Sequence, residues 1–401
     1  MSGGTGPADA ATAPHIDLSS GDFYGDAREA YRWMRARSPV HFDVHSGWWG
    51  VATYDGVLAV ERDATTFSNA GGSRPDTGPL PWMIDMDAPD HLKRRKLVNR
   101  GFTPGRVRST EAHLGRLCDE IINRVCERGE CDLVADLAAP LPMIVIGDML
   151  GIAAEDRDDL LRWSDDMLAS LSGDPGRIEG AAAAFGEYEA YARRMIAARR
   201  EDPRDDLVSV LVHAEVDGDR LDDDEIVFES LLLLVGGDET TRHVISGGIE
   251  QLLLNPSEKQ KVVRDARLLP SAVEEMLRWV SPIKNMNRTV THDVELVGQR
   301  LRAGDKVLVL YESADFDESH FDDPERFDVE RSPNDHLAFG FGAHFCLGAS
   351  LARLEVVTMV DRLLCRLPDL EPATNDPPPR FMTTLEQLPV RFTPTGRVMD
   401  G

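Results

Sequence analysis

Cysteine is scarce in this sequence, with five in 401 residues, at positions 118, 126, 131, 346 and 365. The count is odd and no CxxC pair occurs, which argues against a disulfide framework and a structural zinc site. Cations are also few. Lys and Arg number 44 against 70 Asp and Glu, a formal net charge of -26, which argues against nucleic acid or anionic lipid as a general partner. Long apolar runs are missing as well. The longest reads as Leu231 to Val235, ending at Gly236-Gly237-Asp238, far short of the ~20 residues of a membrane span. The opening MSGGTGPADAATAP has neither a charged start nor an apolar segment, so no secretory signal is expected. The expectation is a cytoplasmic chain without a transmembrane segment, with a disordered tail over 1–16 and one domain over 17–401.

What is present is helical periodicity. Leu114, Leu117, Ile121, Ile122 and Val125 fall on one face of a helix over Glu111 to Arg128. Ala181 to Arg200 and Asp222 to Leu254 read as further helices, the second long and interrupted at Gly236-Gly237. Strand-like pieces are fewer: Trp48 to Thr53, Val294 to Leu296 and Lys306 to Tyr311. The fold class expected is mainly α with a small β portion.

One segment carries chemistry. In Phe339-Gly340-Phe341-Gly342-Ala343-His344-Phe345-Cys346-Leu347-Gly348, glycines alternate with aromatics, a cysteine follows, and an amphipathic helix is expected over Leu347 to Leu364. Cys346 then stands at a helix N-terminus, where unpaired N–H groups and the helix dipole favour a thiolate. A thiolate is a soft, strongly donating ligand suited to haem iron. Gly340 and Gly342 allow tight turns, Gly348 allows close approach of a flat ring, and the phenylalanines shield the sulfur. Taken alone, a cysteine before a helix is more often a packed core residue.

Three other patterns bear on the same chemistry. Gly236-Gly237-Asp238-Glu239-Thr240-Thr241 places adjacent glycines inside a helix at about 1 kcal/mol each relative to Ala, followed by the acid and alcohol that proton delivery requires. His91 and Arg95, at i and i+4, share a helix face and suit an anionic carboxylate. Glu275 and Arg278, at i and i+3, can form an ion pair on a helix. Lys93, Arg94 and Lys96 point elsewhere; with Arg353 they form either a docking patch for an acidic protein or a solvated face.

The cysteine segment resembles the FxxGxxxCxG loop of the cytochrome P450 superfamily, and the remaining motifs extend the likeness from about Asp17 to Pro394. The resemblance implies the P450 fold, a triangular helical haem-binding domain with a long central helix. It implies haem b (iron protoporphyrin IX), held by Cys346 as iron ligand within the Phe339–Gly340 turn. It also implies propionate contacts from His91, Arg95, Arg288 and His344, with His336 as a further candidate. By the same likeness Thr240 orients protons and Glu239 relays them, while Arg326, in the segment FDDPERF, completes a structural triad with Glu275 and Arg278. Longer stretches, among them SNAGGSR (68–74), MIDMDAPDHLKRRKL (83–97) and GGDETTRHVISGG (236–248), look like the steroid side-chain hydroxylases of that family. These oxidise the terminal methyl of cholesterol or cholest-4-en-3-one, sometimes on to the acid. A departure is Asp315, where related enzymes often carry Asn. The likeness implies O2 as co-substrate and electrons from NAD(P)H through a ferredoxin reductase and a ferredoxin in trans. Met83, Ile84, Val235 and Met286 are expected to line an apolar substrate pocket. Other readings stay open at this level: a hydroxylase of a macrolide, terpene or fatty acid, or a haem-thiolate sensor or carrier without turnover.

Overall fold

A computed structural model describes residues 14–169, 175–381 and 384–398. Most of the expected tail lies outside these residues, but its last member, Ile16, is buried with Leu18, Tyr24 and Tyr31 in a small core. The described chain is mostly helical. The helices that position the site are α1 (Tyr54–Arg62), α2 (Asp90–Val98), α3 (Glu111–Asn123), α4 (Pro140–Leu150), α5 (Asp223–Leu254), α6 (Leu269–Val280) and α7 (Ala349–Arg366). One five-stranded sheet is built from β1 (Val40–Asp43), β2 (Trp48–Val51), β3 (Phe67–Ser68), β4 (Asn285–Val290) and β5 (Lys306–Leu310). Its spatial order is β1-β2-β5-β4-β3. The β2–β5 pair is parallel and pairs Gly50 with Leu308, while β4 runs antiparallel to β5 with Arg288 opposite Val307.

Helix α5 has 32 residues, about 48 Å at 1.5 Å per residue. It begins with a capping box: the Asp222 carboxylate accepts the Glu225 N–H at 2.8 Å, and the Glu225 side chain accepts the Asp222 N–H at 2.9 Å. The expected interruption at Gly236-Gly237 is absent, and the helix runs through both glycines. Its two halves join different cores. Ile226, Val227 and Leu234 pack with Met83, Leu97 and Ile146, whereas Val244, Ile245 and Ile249 pack with Leu114, Leu277 and Leu351. The polar stretch from Asp238 to Thr240 lies between them. The sequence also holds a longer apolar window than 231–235. Leu133–Leu150 is apolar enough by length and composition to cross a membrane, and 67% of it is buried inside the fold.

The ion pair expected on α6 is fully buried. Arg278 donates from Nε and Nη2 to the two Glu275 oxygens, both at 2.8 Å. Its Nη1 donates to the Asp315 carbonyl, also at 2.8 Å. Glu275 accepts further bonds from the Asp328 N–H, Arg331 Nε and Asn334 Nδ2 at 3.0–3.1 Å. The third member is therefore Arg331, not Arg326. The Arg326 side chain is 59% exposed and reaches only Asp328, at 3.6 Å. Arg331 also donates to the carbonyls of Asp322, Asp323 and Arg326, which a side chain pointing outward from residue 326 cannot do.

Asp315, which looked peripheral in sequence, is fully buried and accepts the Leu337 N–H at 2.6 Å. It thereby anchors the strand of chain that enters the cysteine segment. Burial pushes its carboxyl up to about 6, against opposing pulls from His336 and Arg278.

Two outcomes are expected. Glu275→Ala leaves Arg278 as an unpaired buried cation and loses about 3–5 kcal/mol of stability in denaturant unfolding, whereas Arg326→Ala changes it by less than about 0.5 kcal/mol. Asp315 holds its proton in the folded state after the unfolded chain has released it, so its contribution falls as pH rises from about 4 to about 6. Asp315→Asn removes that term. Relative to the parent, its unfolding free energy improves between pH 4 and pH 7 by up to about 3 kcal/mol; a flat difference across that range refutes the assignment.

Candidate functional site

The sequence-selected residues converge on one cavity. About 1410 Å³ of atom-free space, including its open mouth, lies between α5, α7, β4 and the segment before α2. Its lining includes Cys346, His344, Gly348, His91, Arg95 and Arg288, together with apolar side chains such as Met83, Ile84, Leu233, Ile283 and Met286. Val235, expected among the latter, packs instead in the core beneath α5.

The cysteine segment turns twice through left-handed backbone, at Gly340 (φ 65°) and Gly342 (φ 70°). At Gly342 a Cβ would stand 2.6 Å from the Glu61 carbonyl, so only glycine fits. The Cys346 N–H donates to the Phe339 carbonyl at 2.9 Å and closes the loop. Helix α7 begins at Ala349 with Gly348 as its N-cap, two residues later than expected. A Cβ at Gly348 would meet nothing within 4 Å; the space over it belongs to the cavity. The Phe339 and Phe345 rings lie edge to face at 6.1 Å, and the Arg353 guanidinium sits 4.6 Å over Phe339.

Burial raises the Cys346 thiol above its ordinary pKa, while N–H groups of Gly348 and Ala349 and the cations Arg95 and Arg353 oppose that rise. A bound metal cation reverses the balance, since a coordinating thiol is deprotonated outright.

The cationic cluster fits an anionic partner. The His91 and His344 rings stack at 4.0 Å. Burial is the main cause that lowers the pKa of both, His344 to about 3. His91 Nε2 is buried without a hydrogen-bond partner, an orphan that normally signals an absent ligand. Arg95 donates to the Phe345 carbonyl. Arg288 is held by Glu61, with Nη2 at 2.7 Å from Oε1, and the Tyr311 hydroxyl donates to the same oxygen at 2.7 Å. His336 does not belong here. Its Nδ1 accepts the Ala338 N–H at 3.2 Å and its Nε2 faces Glu274 at 3.1 Å, so it is a structural side chain.

On α5 the two glycines differ. A Cβ at Gly236 would point into open space, whereas one at Gly237 would lie 3.1 Å from Ile146. Both line the cavity, but only the first has open space above it, and the second permits close packing of α4. Thr240 lines the cavity and its hydroxyl donates to the Gly236 carbonyl at 2.8 Å. Glu239 does not line it; its carboxylate lies 3.8 Å from His243 Nε2 on the same helix. Another acid does. Glu355 of α7 is buried with Oε2 lacking a partner, and burial together with Asp238 holds its carboxyl well above the usual range. Neither Glu61 nor Glu355 belongs to a motif; each is an ordinary-looking glutamate in a helix. Only spatial pairing identifies them.

The proposed basic patch is smaller than its sequence suggests. Arg94 is 10% exposed and pairs with Glu225 and Glu229 of α5, and Arg353 is bidentate on Glu274 at 2.6 and 2.8 Å. Lys93 and Lys96 remain at the surface.

Comparison with known proteins agrees with this geometry. The family model described as "Cytochrome P450" matches residues 86–393. A steroid C26-monooxygenase of Mycobacterium tuberculosis is 56% identical over 392 residues, 96% of this chain and 98% of that one. One from Mycolicibacterium smegmatis is 54% identical over 396 residues, 97% of this chain and 98% of that one. Among solved structures, CYP109E1 from Bacillus megaterium in complex with corticosterone superimposes with a TM-score of 0.84 at 36% identity. The match covers 93% of this chain and all of that one.

The glycines generate a paired test. Gly342→Ala meets the Glu61 carbonyl at positive φ and loses about 1–3 kcal/mol of stability. Gly348→Ala changes stability by less than about 1 kcal/mol, yet the purified protein retains less haem, read as the ratio of Soret to protein absorbance.

Proposed function

This chain belongs to the cytochrome P450 family, and on that premise we propose that it hydroxylates the terminal methyl of a steroid side chain. It is a haem monooxygenase. What the haem supplies when bound is the reduction and cleavage of dioxygen at its iron. Four features suit the cavity to that group: a half-buried cysteine facing it, a cluster of four cationic or imidazole side chains, an orphaned buried His91 nitrogen, and two glycines, Gly236 and Gly348, with open space above them.

In this reading Cys346 is the iron ligand, and His91, Arg95, Arg288 and His344 bind the propionates, with Phe339 and Gly340 shaping the ligand loop. Glu61 and Tyr311 hold Arg288 in place. Thr240 presents its hydroxyl to the reacting end of the cavity and positions protons there. Glu239 stands one residue behind and exchanges protons with it from outside the cavity wall, next to His243. Met83, Ile84, Ile283 and Met286 exclude water and offer a steroid side chain an apolar surface. A terminal methyl has stronger C–H bonds than the neighbouring tertiary carbon, so attack there is decided by position: the chain must enter end-on. Electrons reach the site from a ferredoxin. Lys93 and Lys96 lie on the helix that carries His91 and Arg95 and give an acidic partner a place to dock.

The observation that carries the proposal is the cavity itself, whose lining joins Cys346 and four cationic or imidazole side chains to many apolar ones. The test is a titration of the haem-loaded protein with cholest-4-en-3-one, following the Soret band. The expected result is a saturable shift, with turnover product that carries one added oxygen on the terminal side-chain carbon by mass spectrometry. A shift from a fatty acid, terpene or macrolide and none from the steroid would overturn it.

A further inference from the structure

Glu229 has no part in the chemistry described so far, yet its placement is costly. It is fully buried in α5, among Met83, Ile226, Val227, Leu231 and Leu233 of an apolar core. A leucine there would continue the core without a charge to desolvate. Its Oε1 accepts the Met83 backbone N–H at 2.8 Å and Arg94 Nη1 at 3.2 Å. Its Oε2 has no partner. Met83 opens the short turn Met83–Asp85, and Met83 and Ile84 both line the cavity.

The rest of that turn is also held by polar side chains, but from its own side. Asp85 accepts the N–H groups of Ser73 and Leu80 at 2.7 and 2.9 Å and the Trp82 indole N–H at 2.8 Å. Asn69 Nδ2 donates to the Ile84 carbonyl at 3.0 Å. These contacts shape the segment internally. The Glu229 contact does something else: it ties the segment to α5, the helix that carries Gly236 and Thr240 about two and three turns further on. Through Arg94 it ties the same point to α2, which bears His91 and Arg95.

We propose that Glu229 is a positioning residue for specificity: by accepting the Met83 N–H it fixes Met83 and Ile84 relative to Thr240 and so selects which carbon of a long apolar substrate is presented for oxidation. The proposal rests on the reading of this cavity as a substrate site. A carboxylate suits the task because a charge-assisted bond to a backbone N–H is short and directional, and because Arg94 offsets the charge. Burial pushes the Glu229 carboxyl up to about 7, with Arg94 pulling it back; either protonation state retains an oxygen that accepts from Met83.

Two variants separate positioning from bulk stability. Glu229→Gln keeps an acceptor oxygen, whereas Glu229→Leu removes it and keeps the volume. The haem-loaded proteins are compared by steroid-induced Soret shift, by product distribution, and by hydrogen exchange of the backbone over 80–87. Glu229→Leu is expected to exchange faster over 80–87 than the parent, to bind cholest-4-en-3-one about tenfold more weakly, and to yield hydroxylation at internal side-chain carbons beside the terminal one. Glu229→Gln is expected to stay close to the parent in all three. Parent-like exchange and product distribution in Glu229→Leu would overturn the proposal, as would equal disturbance by both variants. If the parent itself gives no steroid shift, the functional reading fails, while the hydrogen-exchange contrast still decides whether Glu229 holds the wall. Should Glu229→Leu not fold, Glu229→Thr, with a hydroxyl too short to reach Met83, takes its place in the same comparison.

Discussion

The buried pair of Glu275 and Arg278 governs the arrangement of the site without touching it. Two parallel hydrogen bonds at 2.8 Å join the side chains. Their remaining capacity reaches out to Asp315, Asp328, Arg331 and Asn334. All four lie between β5 and the cysteine segment, Asp315 at the end of a five-residue helix and the other three on the irregular stretch that follows it. That stretch has little regular secondary structure, so its shape cannot come from a backbone ladder. It comes from carboxylate and guanidinium groups reading out backbone atoms at many points. Asp315 continues the same logic by accepting the Leu337 N–H, three residues short of the first left-handed glycine. The sulfur of Cys346 is thereby placed from α6, across the core, and not only by its own loop.

Carboxylates serve a second time on the opposite side of the cavity. Asp85, Asp87 and Glu229 each accept backbone N–H groups in the loop between β3 and α2. The two sides differ in consequence. The α6 network fixes where the cofactor's ligand stands, and the loop network fixes the apolar wall across from it. An acidic chain is well supplied for this style of construction, and the large negative charge is in part structural: Asp315 and Glu275 are fully buried, Asp85 nearly so.

Much of the site could be read before any coordinates. FxxGxxxCxG, HxxxR and the acid–alcohol pair each put chemically specific residues at short, fixed spacings, and a short spacing on a helix or tight turn nearly determines the geometry. His91 with Arg95, Gly342 with Cys346, and Gly236 with Thr240 are all of this kind. The misreadings share a different cause. Arg326 and Arg331 are five residues apart in an irregular segment, where spacing says nothing about direction. His336 lies on the correct stretch but turns to Glu274. Glu239 and Thr240 are neighbours on a helix, about 100° apart; Thr240 lines the cavity and Glu239 lies beside His243 behind it.

By itself the sequence determined the helical class, the cysteine at a helix start, the glycines that its turn demands, and the cationic face of α2, because each follows from contacts within a few residues. Tertiary structure decided which acids are buried, that Arg94 faces inward to Glu225 and Glu229, and that Glu355 opposes Asp238. The Arg94 and Glu355 pairings join residues more than a hundred positions apart. Desolvation and long-range hydrogen bonding act through space, and no local pattern encodes which distant side chain will arrive.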